Sequence, residues 1–192
     1  MNMPISHQIQ YVNIKGKDYI YVVDSDGNTN VIGRNGKKRT DIGKIPIKSS
    51  YYIDKKDGSI YTSDKSGNIW LTTLKGSQTK IKTSELESFS FFASNFNNDN
   101  FMDLFISDDS GVKCYNLESE ILDFNVQNES YPKVFKFNNQ SIIGFSSEGS
   151  CYLFDSRGKA FSGSPLFGGG DFECVDLDND NKLNLIVIND NI

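Results

Sequence analysis

The sequence predicts an all-β chain built from repeated four-stranded antiparallel blades, and two observations carry that prediction. The first is a turn rich in Asp, Ser and Gly that recurs as Asp24-Ser25-Asp26-Gly27, Asp64-Lys65-Ser66-Gly67, Asp108-Asp109-Ser110-Gly111 and Ser147-Glu148-Gly149. Its glycines stand 40, 44 and 38 residues apart, and a repeat of about 40 residues is the length of a four-stranded propeller blade. A fifth turn is due where Asn189-Asp190-Asn191 stands. The second observation is what lies between the turns. Short runs are apolar, β-branched or aromatic, as in Tyr19-Ile20-Tyr21-Val22-Val23, Ile69-Trp70-Leu71 and Cys151-Tyr152-Leu153-Phe154, which are strand signals. No segment sustains apolar spacing at i, i+3, i+4, i+7 over the length of a helix.

Each unit reads as strand A, a loop, strand B, a Gly turn, strand C, a second turn and strand D. The A strands are Gln8–Val12, Ser49–Ile53, Ser88–Phe92 and Lys133–Phe137, with a fifth around Phe172 and Cys174. The second turns are Arg34-Asn35-Gly36, Lys75-Gly76, Glu118-Ser119 and Arg157-Gly158. Glycine at such tips supplies the positive φ that tight hairpins need. These landmarks place blades near residues 6–45, 46–86, 87–129 and 130–166, with a half blade over 167–192, all within one domain spanning 1–192. Met3-Pro4-Ile5 precedes the first strand much as Ile45-Pro46-Ile47 and Ser164-Pro165-Leu166 precede later ones. The expectation is a β-propeller with four complete blades and a half blade, read as a fragment of a larger ring. A natural five-bladed ring with one thin blade is the alternative. A half blade leaves a strand edge open, and open edges pair with other strands; edge-mediated self-association is therefore expected.

Two loops carry candidate chemistry. In Phe167–Val187, a Phe-Gly step and a strand lead into an acidic loop and a second apolar strand. Asp176, Asp178 and Asp180 hold positions 1, 3 and 5 of that loop, Lys182 position 7 and Asn184 position 9. Alternating oxygen side chains of this kind can wrap the six to eight oxygens that calcium takes, with position 7 giving its backbone carbonyl. A weaker copy begins 81 residues upstream, two blade lengths, with Asn95, Asn97, Asp99, Phe101 and Asp103 at the same positions. The other reading of both loops is a hairpin rich in Asn and Asp whose side chains bond their own backbone.

The acidic loop between two strands resembles the FG-GAP repeat of integrin-alpha-like β-propellers, and the short Asp-Gly turns are similar to those of VCBS-type repeats. The resemblance implies calcium held by Asp176, Asp178, Asp180, the Lys182 carbonyl and Asn184. It implies a weaker site at Asn95, Asn97, Asp99, the Phe101 carbonyl and Asp103. It also implies a non-catalytic module of the extracellular space or cell envelope, binding a protein or a polysaccharide. The chain departs from the family pattern at position 6, where Asn181 and Asn100 replace Gly, and at position 9, where Asn184 replaces Asp. Asn enters the left-handed region at some cost, so the turn survives.

Composition narrows the remaining classes. The net charge is −5, with 20 basic residues scattered along the chain, which opposes a nucleic-acid partner. Lys37-Lys38-Arg39 and Lys55-Lys56 flank turns and read as solvated. No apolar run reaches the length of a membrane span, and no secretory signal is visible in the first residues. Cys114, Cys151 and Cys174 lie in apolar strand patterns without a CxxC pair, so they read as small buried side chains. The one histidine, His7, has nothing nearby to orient it, and no enzyme is expected. The alternative is a glycan-processing enzyme with opposed carboxylates in the propeller funnel. Among the A strands only the fifth offers acids, Asp171 and Glu173, and one strand cannot supply an opposed pair. Trp70, Tyr115 and Tyr152 on C strands are candidate contact aromatics or core.

Overall fold

The computed structural model describes residues 4–83, 89–99, 101–108, 110–117, 119–126, 132–168 and 171–188. Met3, Ser88, Asn100, Asp109, Glu118 and the expected turn at 189–191 lie outside these residues. No helix occurs among the described residues. The chain forms two compact units, Met1–Ala93 and Ser94–Ile192.

The strands follow the repeat. Blade one is β1 (Gln10–Ile14), β2 (Lys17–Val23), β3 (Asn28–Ile32) and β4 (Lys38–Lys44). Blade two is β5 (Tyr51–Ile53), β6 (Ile60–Ser63), β7 (Asn68–Thr72) and β8 (Gln78–Thr83). Blade three is β9 (Ser90–Ser94), β10 (Asp103–Asp108), β11 (Gly111–Tyr115) and β12 (Glu120–Asp123). Blade four is β13 (Lys133–Phe137), β14 (Gln140–Ser147), β15 (Ser150–Asp155) and β16 (Leu166–Phe167). The fifth unit is β17 (Phe172–Val175) and β18 (Asn184–Val187). Each of the four complete blades is a separate antiparallel sheet in sequence order, and the fifth is a two-stranded sheet. The fold is all-β and propeller-bladed, with four whole blades and a half. The first strands of blades one to three begin two residues later than the sequence pattern places them. Phe167 pairs with Ser150 in β16, so it closes the fourth blade instead of opening the fifth.

Burial grades across each blade. The second strands of blades two to four, β6, β10 and β14, are buried almost throughout, because both faces of a central strand are covered. The fourth strands β4 and β12 are largely exposed. The ladder between third and fourth strands slips at Thr29/Asn30 and Val31/Ile32, at Ile69/Trp70 and at Cys114/Tyr115. Such irregularities raise the local twist and blunt an outer strand.

The turns follow from their side chains. Asp24 Oδ1 accepts the amides of Asp26 and Asn28 at 3.0 and 2.9 Å. Asp64 Oδ1 does the same for Ser66 and Asn68 at 2.8 and 3.0 Å, and Asp155 Oδ1 for Arg157 and Lys159, both at 2.9 Å. These Asx turns fix the chain before glycine takes positive φ at Gly27 and Gly67. Asp64 Oδ2 also accepts the Trp70 indole at 2.8 Å, so this C-strand aromatic is pinned to its own hairpin.

Neighbouring blades join by knobs against glycines. In the first unit, Tyr21 of blade one is fully buried and donates to the Gly58 carbonyl of blade two at 2.8 Å. A Cβ on Gly58 would stand 2.6 Å from that hydroxyl. In the second unit the direction is reversed. Phe172 of the fifth unit packs over Gly144 of blade four, where a Cβ would meet the ring at 2.5 Å. Between blades three and four, Phe105, Phe124, Phe145 and Phe154 form a ring cluster with centroids 5.1–6.5 Å apart. Cys114 and Cys151 are buried, Cys174 is partly so, and all three are free thiols; burial raises the Cys151 and Cys174 pKa values to about 11.

Candidate metal loops

The downstream loop lies between β17 and β18. Their register runs from Phe172 opposite Val187 to Val175 opposite Asn184, so positions 1 and 9 of the loop sit at the turn end of the hairpin, where the loop leaves the two strands. One carboxylate oxygen from each of Asp176, Asp178 and Asp180 falls within 4.8 Å of the other two. Asp178 and Asp180 are exposed and Asp176 partly buried. The loop also bonds itself. Asp176 accepts the amides of Asp180 and Asn181, each at 3.1 Å. Asn184 Oδ1 accepts the Leu177 amide at 2.9 Å. Asp180 accepts the Lys182 amide and ammonium, both at 2.8 Å, and these bonds hold its carboxyl below the usual range. Asn179 and Asn181 take positive φ at 58° and 63°, so asparagine at position 6 does enter the left-handed region.

The upstream loop is built alike. Asn98, at position 4 like Asn179, has φ 63°. Asp103 at position 9 caps the second and third positions, accepting the Phe96 amide at 2.7 Å and the Asn97 amide at 3.2 Å. Asp99 accepts the Phe101 amide at 2.8 Å and the Asn97 side-chain amide at 2.9 Å. Asp103 is 1% exposed, and burial raises its pKa against the pull of those amides. Asn95 Oδ1, at position 1, is buried with no hydrogen-bond partner. Only two of this loop's candidate ligands are carboxylates.

Two lysines that contact these loops and strands were not singled out in the sequence. Lys133 on β13 bonds Asp171 at 2.5 Å, Glu173 at 3.3 Å and the Phe172 carbonyl at 2.8 Å. Both acids of the fifth A strand are thus engaged by one ammonium, which also lies 5.5 Å from the Phe172 ring centroid. Lys136, on the same strand, donates to the Asn95 carbonyl and to Asn98 Oδ1. Strand alternation was the available signal: residues three apart on a strand face opposite ways.

No protein-family model matches the chain, and no curated protein does. Among solved structures, one described as the Dos1 propeller is similar at 14% identity with a TM-score of 0.49. The match covers 79% of this chain and 44% of that one, so this chain spans less than half of that structure's length. The fold assignment above rests on the sheets and their order.

The fifth unit borders an apolar cleft of about 480 Å³ against blade four. Ile142, Leu153, Phe161 and Leu166 line one side, and Leu183 and Leu185 the other. Asn181 of the downstream loop also lines it. No helix among the described residues is long and apolar enough to cross a membrane.

Proposed function

We propose that the chain is a non-catalytic propeller scaffold for a protein or glycan partner, and that its downstream loop binds calcium weakly. The carrying observation is the convergence of three carboxylates within 4.8 Å. Calcium–oxygen distances of about 2.3–2.6 Å put opposite ligands roughly 5 Å apart, so the spacing fits one ion. The donor set fits as well. Asp176, Asp178, Asp180, the Lys182 carbonyl and Asn184 are hard oxygens, and Asn184 Oδ1 keeps a second lone pair beside its bond to Leu177. Calcium there would neutralise converging negative charge and pin a loop that forms part of the apolar cleft. The proposal places the chain outside the cell or in its envelope, where calcium sites of such modules have dissociation constants of about 0.1–1 mM. The pairing of Asp171 and Glu173 with Lys133 supports a scaffold over a glycan-processing enzyme, since neither acid is left to work as an unpaired base.

The test is thermal melting in calcium and in chelator. At about 2 mM calcium and a dissociation constant of about 0.1 mM, linkage stabilises by roughly 1.8 kcal/mol, a rise of about 4–7 °C for a chain of this size. Asp178→Ala removes the rise and Asp99→Ala leaves most of it. No heat on titration, together with a melting temperature unmoved by calcium, would leave the three aspartates as a self-bonded hairpin.

A further inference from the structure

Strand β13 carries lysines three residues apart, so its two faces each present one. Lys133 reaches the fifth unit; Lys136 reaches back to the upstream loop of blade three. Lys136 is an exposed residue, yet its ammonium folds onto the Asn95 carbonyl and Asn98 Oδ1. The adjoining Asn138-Asn139 turn makes a second contact, with Asn98 Nδ2 donating to the Asn139 carbonyl at 3.1 Å. The loop that Lys136 meets has two carboxylates, Asp99 and Asp103, and a buried Asn95 oxygen without a partner. The downstream loop has three carboxylates, and its own lysine, Lys182, sits at the rim on Asp180.

We infer that Lys136 is the resident cation of the upstream loop. Its ammonium does there what a divalent ion would do: it gathers a loop carbonyl and a side-chain oxygen and offsets the charge of Asp99 and Asp103. A tethered ammonium has three donors and one positive charge. It suits a loop with fewer carboxylates and repels an incoming divalent ion. Because the lysine belongs to blade four and the loop to blade three, the same contact fastens two blades without metal. This inference does not rest on calcium in the downstream loop.

The experiment uses an Asp178→Ala background, which silences the downstream loop. Melting is followed in chelator and in 5 mM calcium for that variant and for Asp178→Ala with Lys136→Met. The single variant is expected to ignore calcium. The double variant is expected to melt lower in chelator and to recover about 2–4 °C in calcium. That recovery corresponds to a roughly sixfold shift in the folding equilibrium at a dissociation constant of about 1 mM. Adding Asp103→Asn should remove the recovery. The inference is overturned if the single variant rises with calcium and loses that rise on Asp103→Asn. It is also overturned if Lys136→Met leaves melting unchanged, or lowers it without calcium restoring it. Should the double variant fail to fold even in calcium, Lys136→Gln in the same background decides. That variant keeps a donor for the loop and removes the charge: a melt that calcium raises supports the lysine, and a melt that calcium does not move overturns it.

Discussion

Gly27 shows how much one backbone position can hold. Its φ is +85°, and a Cβ built on it would lie 2.3 Å from the Ile45 carbonyl oxygen. The Ile45 amide in turn donates to the Gly27 carbonyl at 2.9 Å. Gly36, at φ +75°, has nothing within 4 Å of the place a Cβ would take. Both glycines pay for positive φ when given a side chain, but only Gly27 meets backbone. Gly36→Ala should therefore cost about 1–2 kcal/mol. Gly27→Ala should cost roughly 3 kcal/mol or more, because the blocking atom is main chain and cannot swing aside. Chemical denaturation of the two variants checks this; equal midpoints would mean that Ile45 gives way freely.

Turn carboxylates set a second expectation at the level of the hairpin. The Asn28 side chain leads the hydrogen bonds that hold the Asp24 carboxyl below its ordinary range. The Tyr11 hydroxyl and then the Asn13 side-chain amide do the same for Asp18. A group whose folded pKa is depressed adds stability that is complete above the unfolded value of about 3.9. That stability is lost as pH falls through the lower folded value. Melting temperature should fall as pH is lowered from about 5 to about 3, and Asp24→Asn should shallow the fall. A flat profile would contradict the Asx-turn account. Asp103, with its pKa raised by burial, opposes this trend, so Asp103→Asn should steepen the acid loss.

These turns were readable in the sequence because an Asx turn and a glycine at positive φ each demand a particular residue. Gly27 and Gly67 could be named from spacing alone, and so could β13, whose range matched residue for residue. The joints between blades were not readable. Gly144 looks like an interruption of a strand until Phe172, 28 positions on, is placed over it. Lys133 and Lys136 look like solvated charges until their strand is set between two neighbours. For the loops, the aspartates at positions 1, 3 and 5 of the downstream loop lie together, but the pattern cannot distinguish oxygens facing an ion from oxygens facing amides. Gly144→Ala should destabilise markedly, by about 1–3 kcal/mol from overpacking, and Phe172→Leu should recover part of that loss. A double variant no better than the sum of its parts would mean that the ring does not occupy this space.

For the whole molecule, the fifth unit carries uncovered apolar surface at Leu177, Ile186 and Ile188, and Phe167 at the end of blade four is 98% exposed. Strand β18 has a partner on one side only among the described residues. An unpaired apolar strand recruits another strand, so this chain should self-associate with rising concentration. Ile186→Lys should suppress the association, as charge on an edge does in natural sheets. Sedimentation over a wide concentration range tests it; a monomer throughout, or association untouched by the substitution, would direct attention away from β18.

The knobs and glycines between blades have a consequence for how such a chain can be rearranged. At the first joint the bulky residue, Tyr21, comes from the earlier blade and the glycine, Gly58, from the later one. At the last joint the bulky residue, Phe172, comes from the later unit and the glycine, Gly144, from the earlier. The repeats therefore share an outline without sharing a fit. Duplicating, deleting or shuffling a blade would set ring against ring at one junction and hollow against hollow at another. Blade order is written into these joints, and recombination between repeats would have to replace both sides of a joint at once.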